Sequence, residues 1–533
     1  MLTLRSEAPK VTLTKHFPSA TDNAVATART CYSSRIVTDE DVQKNLPLRD
    51  RIAVSTYKAG HHTTLQHAHY QFTLESLSRQ ALWSFFHAHP FYNSEQVSQR
   101  YVEVKAGRVL KPDLSSWGVG LNERWDAVVE RQMRVYHELI ELLAPTVERL
   151  YFDIFPARRR DAQRGEGAVD KRWTGSMQKR AQEVARYVLP IGTHAHLYHT
   201  VSALTLHRYH RVAASHDCPT EQKLVVDQMV QAVLAVDPDF ALLLEGPLPA
   251  EDSPDARAMK ALARDRVDAA QTRELVQEFD ASLEGRTSKL VSMTEQPERV
   301  LARALREALG VARSRLSDEA AVRLLLDPRD NPVFGESLSL LTLGKASRAL
   351  EMVQLTFQRK ISHAADSQAQ RHRMTPGARP VLWTQVIPGE ADFVLPVILE
   401  EPDAEHARHV YVNEMHDVAN DVLHFHEAGV PPEAWQYLLP NAVPVRYTET
   451  GSLLDQHHKW TTRLCYNAQE EIWRAAKDEV EQVAQRALAL MEHMLPPCGQ
   501  RCRAGVSPFC PEGERFCGQP VWKKARSDYQ RVL

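Results

Sequence analysis

The feature that most constrains the fold of this chain is a set of short segments that occur twice in the same order. Leu189-Pro190 returns as Leu439-Pro440, and Thr200-x-Ser202 returns as Thr450-x-Ser452, in both cases after 250 positions. Weaker matches pair Ser78-Arg79 with Ser347-Arg348, Phe72-Thr73-Leu74 with Leu341-Thr342-Leu343, and Arg100 with Arg371. Because all of these matches keep one order, we predict a tandem duplication of a single domain.

The length of the chain also argues for more than one domain, because 533 residues exceed what one ordinary hydrophobic core supports. We predict a first domain over 1–245, a linker with a charged helix over 246–285, a second domain over 286–496 and a Cys-rich metal-binding tail over 497–533. The linker opens with a proline-rich acidic break, GPLPAEDSP, which is typical of a connector between folded units.

Composition and charge exclude several classes of protein. An apolar content of 43% and a charged content of 25% are those of a soluble globular protein. The net charge of -3 gives no electrostatic reason to expect nucleic acid or an anionic membrane as a partner. No apolar run approaches the roughly 20 residues that span a bilayer, and the first residues lack a signal-peptide core. We therefore expect a cytoplasmic protein.

The stretch from Gly60 to Val104 carries the densest set of chemically active side chains. It opens with four histidines in nine residues, continues through a strand-like run and a helix that begins at Ser78-Arg79, and closes on Ser98-Gln99-Arg100-Tyr101. Imidazoles, guanidinium groups and hydroxyls in this density suit the binding of an anion and a planar ring. The histidines also allow a zinc site, but the HExxH spacing of zinc enzymes is absent.

The order of these motifs resembles the flavin-dependent thymidylate synthases, which read GHxSxxEH, an SR-led helix, RHR, SxxNExSxRY, ARxxLP and finally LRxxxHAQxEI. The matching positions are Gly60-His61, Thr63, His67, Ser78-Arg79, Ser98, Arg100, Tyr101, Arg186, Leu189-Pro190, Arg463 and Ala468-Gln469. The chain departs from the pattern at His87-Ala88-His89, which stands in the place of RHR, at Gln66 and at Asn467.

The resemblance implies an α+β fold of two repeated thymidylate-synthase-complementing-type domains, in which a sheet packs against long helices. It also implies conversion of dUMP to dTMP, with methylene-tetrahydrofolate as the carbon donor and with FAD and NADPH supplying the reduction. A non-catalytic homologue that acts as a nucleotide-binding or assembly protein is the alternative. Since active sites in this family form where identical subunits meet, a duplicated chain is expected to form a homodimer.

The same resemblance assigns roles to individual residues. Arg463 is expected against the pyrimidine as the catalytic arginine, since a guanidinium group stays charged and binds oxygens in bidentate fashion. The expected dUMP ligands are Arg79, Ser98, Arg100, Tyr101, Arg186 and Gln469. The expected contacts to FAD or folate are His61, Thr63, His67, His87, His89 and Glu95. Because neither copy holds the full set, we predict a hybrid nucleotide site built from both.

Four cysteines lie close together after residue 496, outside the resemblance. Cys498-x3-Cys502 and Cys510-x6-Cys517, with glycine and proline between them, suit four thiolates that close on one ion. Zinc is the first expectation and an iron–sulfur cluster the second. Plain reduced cysteines are the alternative.

Overall fold

Each half of the chain forms one four-stranded antiparallel sheet in the computed structural model, which describes residues 2–164, 168–215, 217–262 and 267–533. In the first half the strand order is β1-β2-β4-β3, and in the second it is β5-β6-β8-β7. The strands are β1 Lys10–His16, β2 His69–Ser78, β3 Asn93–Gln96, β4 His194–Ser202, β5 Ser288–Met293, β6 Gln354–Ser362, β7 Gly377–Ala378 and β8 Pro444–Ser452. The identical orders confirm the predicted α+β fold of two repeated domains.

Helices surround both sheets. Those up to the linker are α1 Ala20–Thr30, α2 Asp39–Gln43, α3 Leu46–Lys58, α4 Arg79–Ala81, α5 Leu121–Ile154, α6 Pro156–Arg164, α7 Ala168–Ala185, α8 Ala203–Val212 and α9 Pro219–Leu234. The rest are α10 Pro254–Ala261, α11 Ala269–Ser282, α12 Pro297–Leu309, α13 Asp318–Leu326, α14 His363–Ala369, α15 Glu405–Glu427, α16 Pro432–Trp435, α17 Leu453–Arg463, α18 Glu470–Arg486, α19 Leu488–Met491 and α20 Pro497–Arg503. No helix in the described ranges is both long enough and apolar enough to cross a bilayer.

The Thr-x-Ser motif, which recurs after 250 residues, lies at the end of β4 and of β8, and its serine caps the helix that follows. Ser202 closes β4, and its hydroxyl accepts a hydrogen bond from the backbone N–H of Thr205. Ser452 closes β8 and accepts in the same way from Asp455. A serine at this position satisfies one of the free N–H groups of the first helical turn. The repeated Thr-x-Ser motif is therefore a strand-to-helix junction.

The two copies meet through reciprocal backbone hydrogen bonds around Pro190 and Pro440. Asn441 N–H donates to Leu189 O and Ile191 N–H donates to Leu439 O, both at 2.8 Å, so equivalent residues exchange equivalent bonds. This reciprocity is the mark of a two-fold contact between like surfaces. Gly192 lies so close to the other copy that a Cβ there would approach Tyr437 O to 2.8 Å. One continuous hydrophobic core runs across this contact.

The predicted pairing of Ser78-Arg79 with Ser347-Arg348 is wrong. The run 341–343, read as a strand, forms a single 3₁₀ turn. The counterpart of Ser78 is Ser362, because each ends the second strand of its sheet and caps the helix that follows. Both also bind a buried carboxylate through backbone N–H and hydroxyl: Ser78 binds Glu221, and Ser362 binds Glu471.

The Cys-rich segment packs onto both copies. Gly518 lies against Phe155 at the end of α5, and Arg501 donates to Gly335 O of the second copy. Val521 and Tyr529 join an apolar cluster in front of α18. The domain limits remain predictions. In the linker, α10 and α11 replace one continuous helix, and positions 263–266 of the predicted charged stretch lie outside the described residues.

Candidate functional site

Predicted site residues from both copies meet at the contact between them. Arg100, on the loop after β3, donates from Nη2 to Glu183 of α7 and to the backbone O of Asn467 in the second copy, both at 3.0 Å. Gln469 of the second copy donates to the Tyr187 hydroxyl at 2.6 Å, next to Arg186. The groups of the predicted hybrid site are thus brought together within a single chain.

Several buried polar atoms at this contact have no hydrogen-bond partner among the described residues. They are Arg100 Nε, Arg186 Nη2, Arg463 Nε, Gln99 Nε2 and Gln469 Oε1. An unpaired buried donor is costly, so native proteins leave few of them. Because four of the five atoms are N–H donors, the cluster fits a ligand rich in acceptor oxygens, such as a phosphate or a carbonyl.

The electrostatics of the contact point to an anion as well. Burial, together with the neighbouring Arg186, lowers the pKa of Arg79 to about 9. Burial also lowers the pKa of Arg463 to about 10, with further contributions from the charges of Arg100, Arg359 and Arg371. Arginine is the most basic side chain, so shifts of this size report crowded positive charge that is removed from water. A bound anion would relieve this repulsion.

The repeat places a second, equivalent position on the other side of the contact, and there the polar side chains are hydrogen-bonded to other protein groups. Gln436 replaces Arg186 there and donates to Asp217 O at 2.6 Å. The fully buried Asp217 carboxylate accepts from Leu382 N–H at 2.7 Å and from Gln80 Nε2 at 3.1 Å. Burial raises the pKa of Asp217 to about 7. This side of the contact therefore lacks the arginine surplus of the other, and only one of the two related positions has the character of an anion site.

An Arg-His-Arg triplet that sequence reasoning missed lies beside this site. Nine positions after Ser78 comes His87-Ala88-His89, and nine positions after Ser362 comes Arg371-His372-Arg373. The triplet expected in the first copy is therefore present in the second. The signal is the literal Arg-His-Arg in the sequence, which the pairing of Ser78 with Ser347 and of Arg100 with Arg371 conceals.

The triplet faces the first copy across a cavity of about 260 Å³. Arg371 Nη2 donates to Ser94 O at 2.6 Å and to Glu95 at 3.0 Å. The Arg373 guanidinium lies 5.2 Å from the centre of the Tyr92 ring. The cavity is lined by Gln71, Tyr92, Asn93, Ser94, Glu95, Tyr198, Thr200, Arg371 and Arg373. Two tyrosines and two arginines on one open cavity suit a planar ring that carries negative charge.

His87 and His89 do not line this cavity, and their predicted contact with a cofactor stays a prediction. His87 Nε2 lies 3.2 Å from the Ser94 hydroxyl, and its ring stacks on Tyr92 at 4.7 Å. His89 Nε2 lies 2.7 Å from the Tyr209 hydroxyl. Burial is the main cause that holds the pKa of His87 well below its usual value and lowers that of His89 to about 4. Both are neutral packing residues at pH 7.

The remaining predicted ligands of the first copy divide into two groups. Arg79 donates to Val97 O at 2.7 Å, so it anchors the loop that carries Ser98 and Arg100. Ser98 in turn accepts a hydrogen bond from the Arg100 N–H at 3.2 Å. Tyr101 is 57% exposed, under the Arg100 guanidinium. Arg79 and Ser98 thus set the position of Arg100, while Tyr101 lies at the rim.

His61, Thr63 and His67 lie around a 3₁₀ turn before β2, and all three are exposed. None of them lines the 260 Å³ cavity. His61 instead lines a second cavity together with Thr64 and side chains of α1 and α3.

The structure does not support the predicted metal centre at Cys498, Cys502, Cys510 and Cys517. In the part of the chain that is described, no three His, Cys, Asp or Glu side chains are grouped closely enough to hold an ion, and all seven cysteines are free. Cys498 and Cys517 pack against the apolar cluster of Tyr466 and Trp473. Burial, together with the neighbouring Cys465, Cys517 and Cys510, raises the pKa of the Cys498 thiol to about 12.

The sequence is similar to proteins of one family. The family model described as "Thymidylate synthase complementing protein" matches residues 12–239 and 289–487, once in each copy. A flavin-dependent thymidylate synthase of Clostridium tetani (strain Massachusetts / E88) is 24% identical over 238 residues, which cover 43% of this chain and 84% of that protein. A crystal structure of the UMP/dUMP methylase PolB from Streptomyces cacaoi, bound with 5-Br dUMP, is 18% identical, with a TM-score of 0.31 over 45% of this chain and 95% of that one. The two segments of the family model cover most of the sequence, and the chain therefore belongs to the thymidylate synthase complementing protein family, the flavin-dependent thymidylate synthases.

Proposed function

We propose that this protein is an FAD-dependent thymidylate synthase that converts dUMP to dTMP with methylene-tetrahydrofolate and NADPH at one composite site per chain. The observation that carries the proposal is the cluster of unpartnered buried donors at one side of the contact between the copies. The first copy contributes Arg100 and Arg186, and the second contributes Arg463 and Gln469. A nucleotide monophosphate has both a phosphate and pyrimidine carbonyls to accept these bonds.

Each residue has a stated task in the reaction. Arg100 and Arg186 bind the phosphate, and Arg463 donates to the pyrimidine and polarises it so that its C5 carbon is nucleophilic. C5 then bonds to the methylene carbon as the bond from that carbon to a folate nitrogen breaks, and the C5 proton leaves. Gln469, fixed by Tyr187, orients the base. The site is buried, which excludes water and strengthens each charge interaction. Bound FAD, once reduced by NADPH, would supply the hydride that completes the new methyl group.

The cavity beside the Arg-His-Arg triplet is lined by side chains of the kinds that bind FAD. Arg371 and Arg373 offer guanidinium groups to a pyrophosphate, and Tyr92 offers a ring face to a planar cofactor. Tyr198, 55% exposed, adds a second aromatic side chain. Gln368 O accepts from Arg463 Nη2 at 3.2 Å and from the backbone N–H of Arg371 at 3.3 Å, so the cavity adjoins the nucleotide site. A flavin held there would be near a bound pyrimidine.

Flavin binding tests this assignment. The purified protein is expected to take up FAD with a yellow flavin spectrum, and Arg371→Ala and Arg373→Ala are each expected to weaken binding roughly ten- to a hundredfold, because each removes a charged hydrogen bond. Arg348→Ala, a change at an exposed arginine of the same copy, is the matched control and should have no effect. Protein that binds dUMP but neither FAD nor folate would instead be the non-catalytic nucleotide-binding homologue.

We also propose that the chain forms a homodimer. Two copies within a chain form one two-fold contact, and a second chain would complete a four-domain assembly of the kind that the family builds from identical subunits. The exposed His61, Thr63 and His67 would then be available to a cofactor held between chains. Small-angle scattering measures the particle mass directly, and a monodisperse monomer would contradict the proposal.

A further inference from the structure

The last residues of the sequence lie beside the composite site, although they fall outside the segments that the family model matches. Tyr529 is buried in a cluster with Tyr466, which precedes α18, and with Trp473, which lies in the first turn of α18. This anchor directs Arg531 to a small cavity between α7 and the N-terminal end of α18. The cavity is lined by residues of both copies and of this segment, among them Arg180, Glu183, Tyr187, Gln469, Glu470 and Arg531.

Arg531 has the same unsatisfied character as the other arginines of the site. Its Nε donates to Leu533 O at 3.0 Å, but its buried Nη1 has no hydrogen-bond partner among the described residues. Burial is the main cause that lowers the pKa of Arg531 to about 10, and its charged neighbours are Glu183, Arg180, Glu470 and Arg100. Glu183 is the carboxylate that also pairs with Arg100 at 3.0 Å. Arg531 and Arg100 therefore flank one carboxylate.

A second contact joins the same segment to Arg100. The side-chain amide of Asn467 donates to Arg515 O at 2.7 Å, and the backbone O of Asn467 accepts from Arg100 at 3.0 Å. Residues 515–531 thus contact the site at two points, through Asn467 and through Arg531. The segment forms a wall of the site rather than an independent module.

The charges around Glu183 do not balance. Four arginines, Arg100, Arg180, Arg186 and Arg531, have Glu183 among the groups that act on their charge, and Arg463 adds another cation close to Arg100. Glu470 acts on Arg531 and Glu471 acts on Arg186, so five arginines face three carboxylates. Such an excess of buried positive charge is unfavourable unless an anion shares the site. A phosphate monoester carries close to two negative charges at neutral pH and would supply them.

We propose that Arg531 is a further phosphate ligand of the composite site, delivered by a segment that lies beyond the family fold. The inference rests on the proposed function, because the anion is taken to be the phosphate of dUMP.

The test compares dUMP with deoxyuridine, the same molecule without phosphate, by calorimetric titration of the full chain. Arg531→Gln is expected to weaken dUMP binding roughly ten- to a hundredfold and to leave deoxyuridine binding unchanged. Arg531→Lys keeps the charge and should restore part of the loss. Arg526→Gln is the matched control, since Arg526 lies in the same segment but donates to Met491 O, away from the site.

The outcomes separate the two proposals. Wild-type protein that does not bind dUMP would overturn the proposed function and this inference with it. Wild-type binding that Arg531→Gln leaves intact, or an equal loss for dUMP and deoxyuridine, would overturn the inference alone, because a merely structural role does not discriminate the phosphate. A thermal melt of Arg531→Gln and of Arg531→Lys identifies unfolding, and a folded lysine variant keeps the comparison valid.

Discussion

Replacing Arg463 by alanine is expected to reduce dTMP formation by roughly a hundred- to a thousandfold, the cost of removing one donor aimed at charge that develops in the reaction. The guanidinium is buried at the contact between the copies, where its Nη2 donates to Gln368 O at 3.2 Å and its Nε has no partner among the described residues. It is therefore held by the protein on one side and free to donate on the other. Steady-state kinetics with saturating cofactors measures the effect.

Two further variants separate catalysis from binding. Arg100→Ala and Arg186→Ala remove proposed phosphate ligands, so each should weaken dUMP binding roughly ten- to a hundredfold. Arg463→Ala should instead lower kcat more than it raises KM, because it acts on the pyrimidine in the transition state. Arg348→Ala, at an exposed position, is the control. Unchanged kcat in Arg463→Ala would exclude it as the catalytic arginine.

The repeat could be predicted from the sequence at positions where both copies make the same interactions. Leu189-Pro190 and Leu439-Pro440 persist because they exchange backbone hydrogen bonds across the two-fold contact, and a change in one would disturb its partner. Ser202 and Ser452 persist as helix caps. The caps are local and specific to residue type, so they are readable in the sequence at a fixed spacing.

The second strand of the second sheet was missed because it breaks the usual alternation. In Gln354–Ser362 a strand that packs on a core should carry apolar residues at every inward position, but one of these positions holds Arg359, which is fully buried. The apolar run at 341–343 then looked more like a strand than the true one. With the strand misplaced, Ser362 is not aligned with Ser78, and the Arg-His-Arg triplet beside the proposed flavin cavity is not aligned with its counterpart in the first copy.

The Cys-rich segment shows a different limit of sequence reasoning. Cysteine spacing indicates which thiols are near in sequence, but a metal site needs three or four ligands that converge on one point in space. Here Cys498 and Cys517 pack into an apolar cluster, and the segment contacts Asn467 through Arg515 and the site through Arg531. These contacts depend on tertiary folding, which no local pattern encodes.

Arg359→Ala is expected to lower the free energy of unfolding by about 3–5 kcal/mol, the largest stability effect that we expect for a single substitution in this chain. Arg359 is paired at 3.2 Å with both Glu449 and Glu479, and it donates to the Tyr447 hydroxyl at 3.1 Å. Both glutamates are fully buried, and Lys459 also pairs with each of them. Removing the guanidinium leaves two buried carboxylates with one cation between them, so the loss exceeds that of an ordinary ion pair.

Urea unfolding followed by circular dichroism measures this loss as a lower midpoint at an unchanged slope. Arg303→Ala is the matched control, because Arg303 forms an exposed pair with Glu307 on a helix of the same copy, and such pairs contribute about 0.5 kcal/mol or less. The double variant Arg359→Met with Glu449→Gln should recover part of the stability, since it removes a charge of each sign and leaves Lys459 paired with Glu479. An Arg359→Ala midpoint equal to that of the control would show that the buried carboxylates do not need this cation.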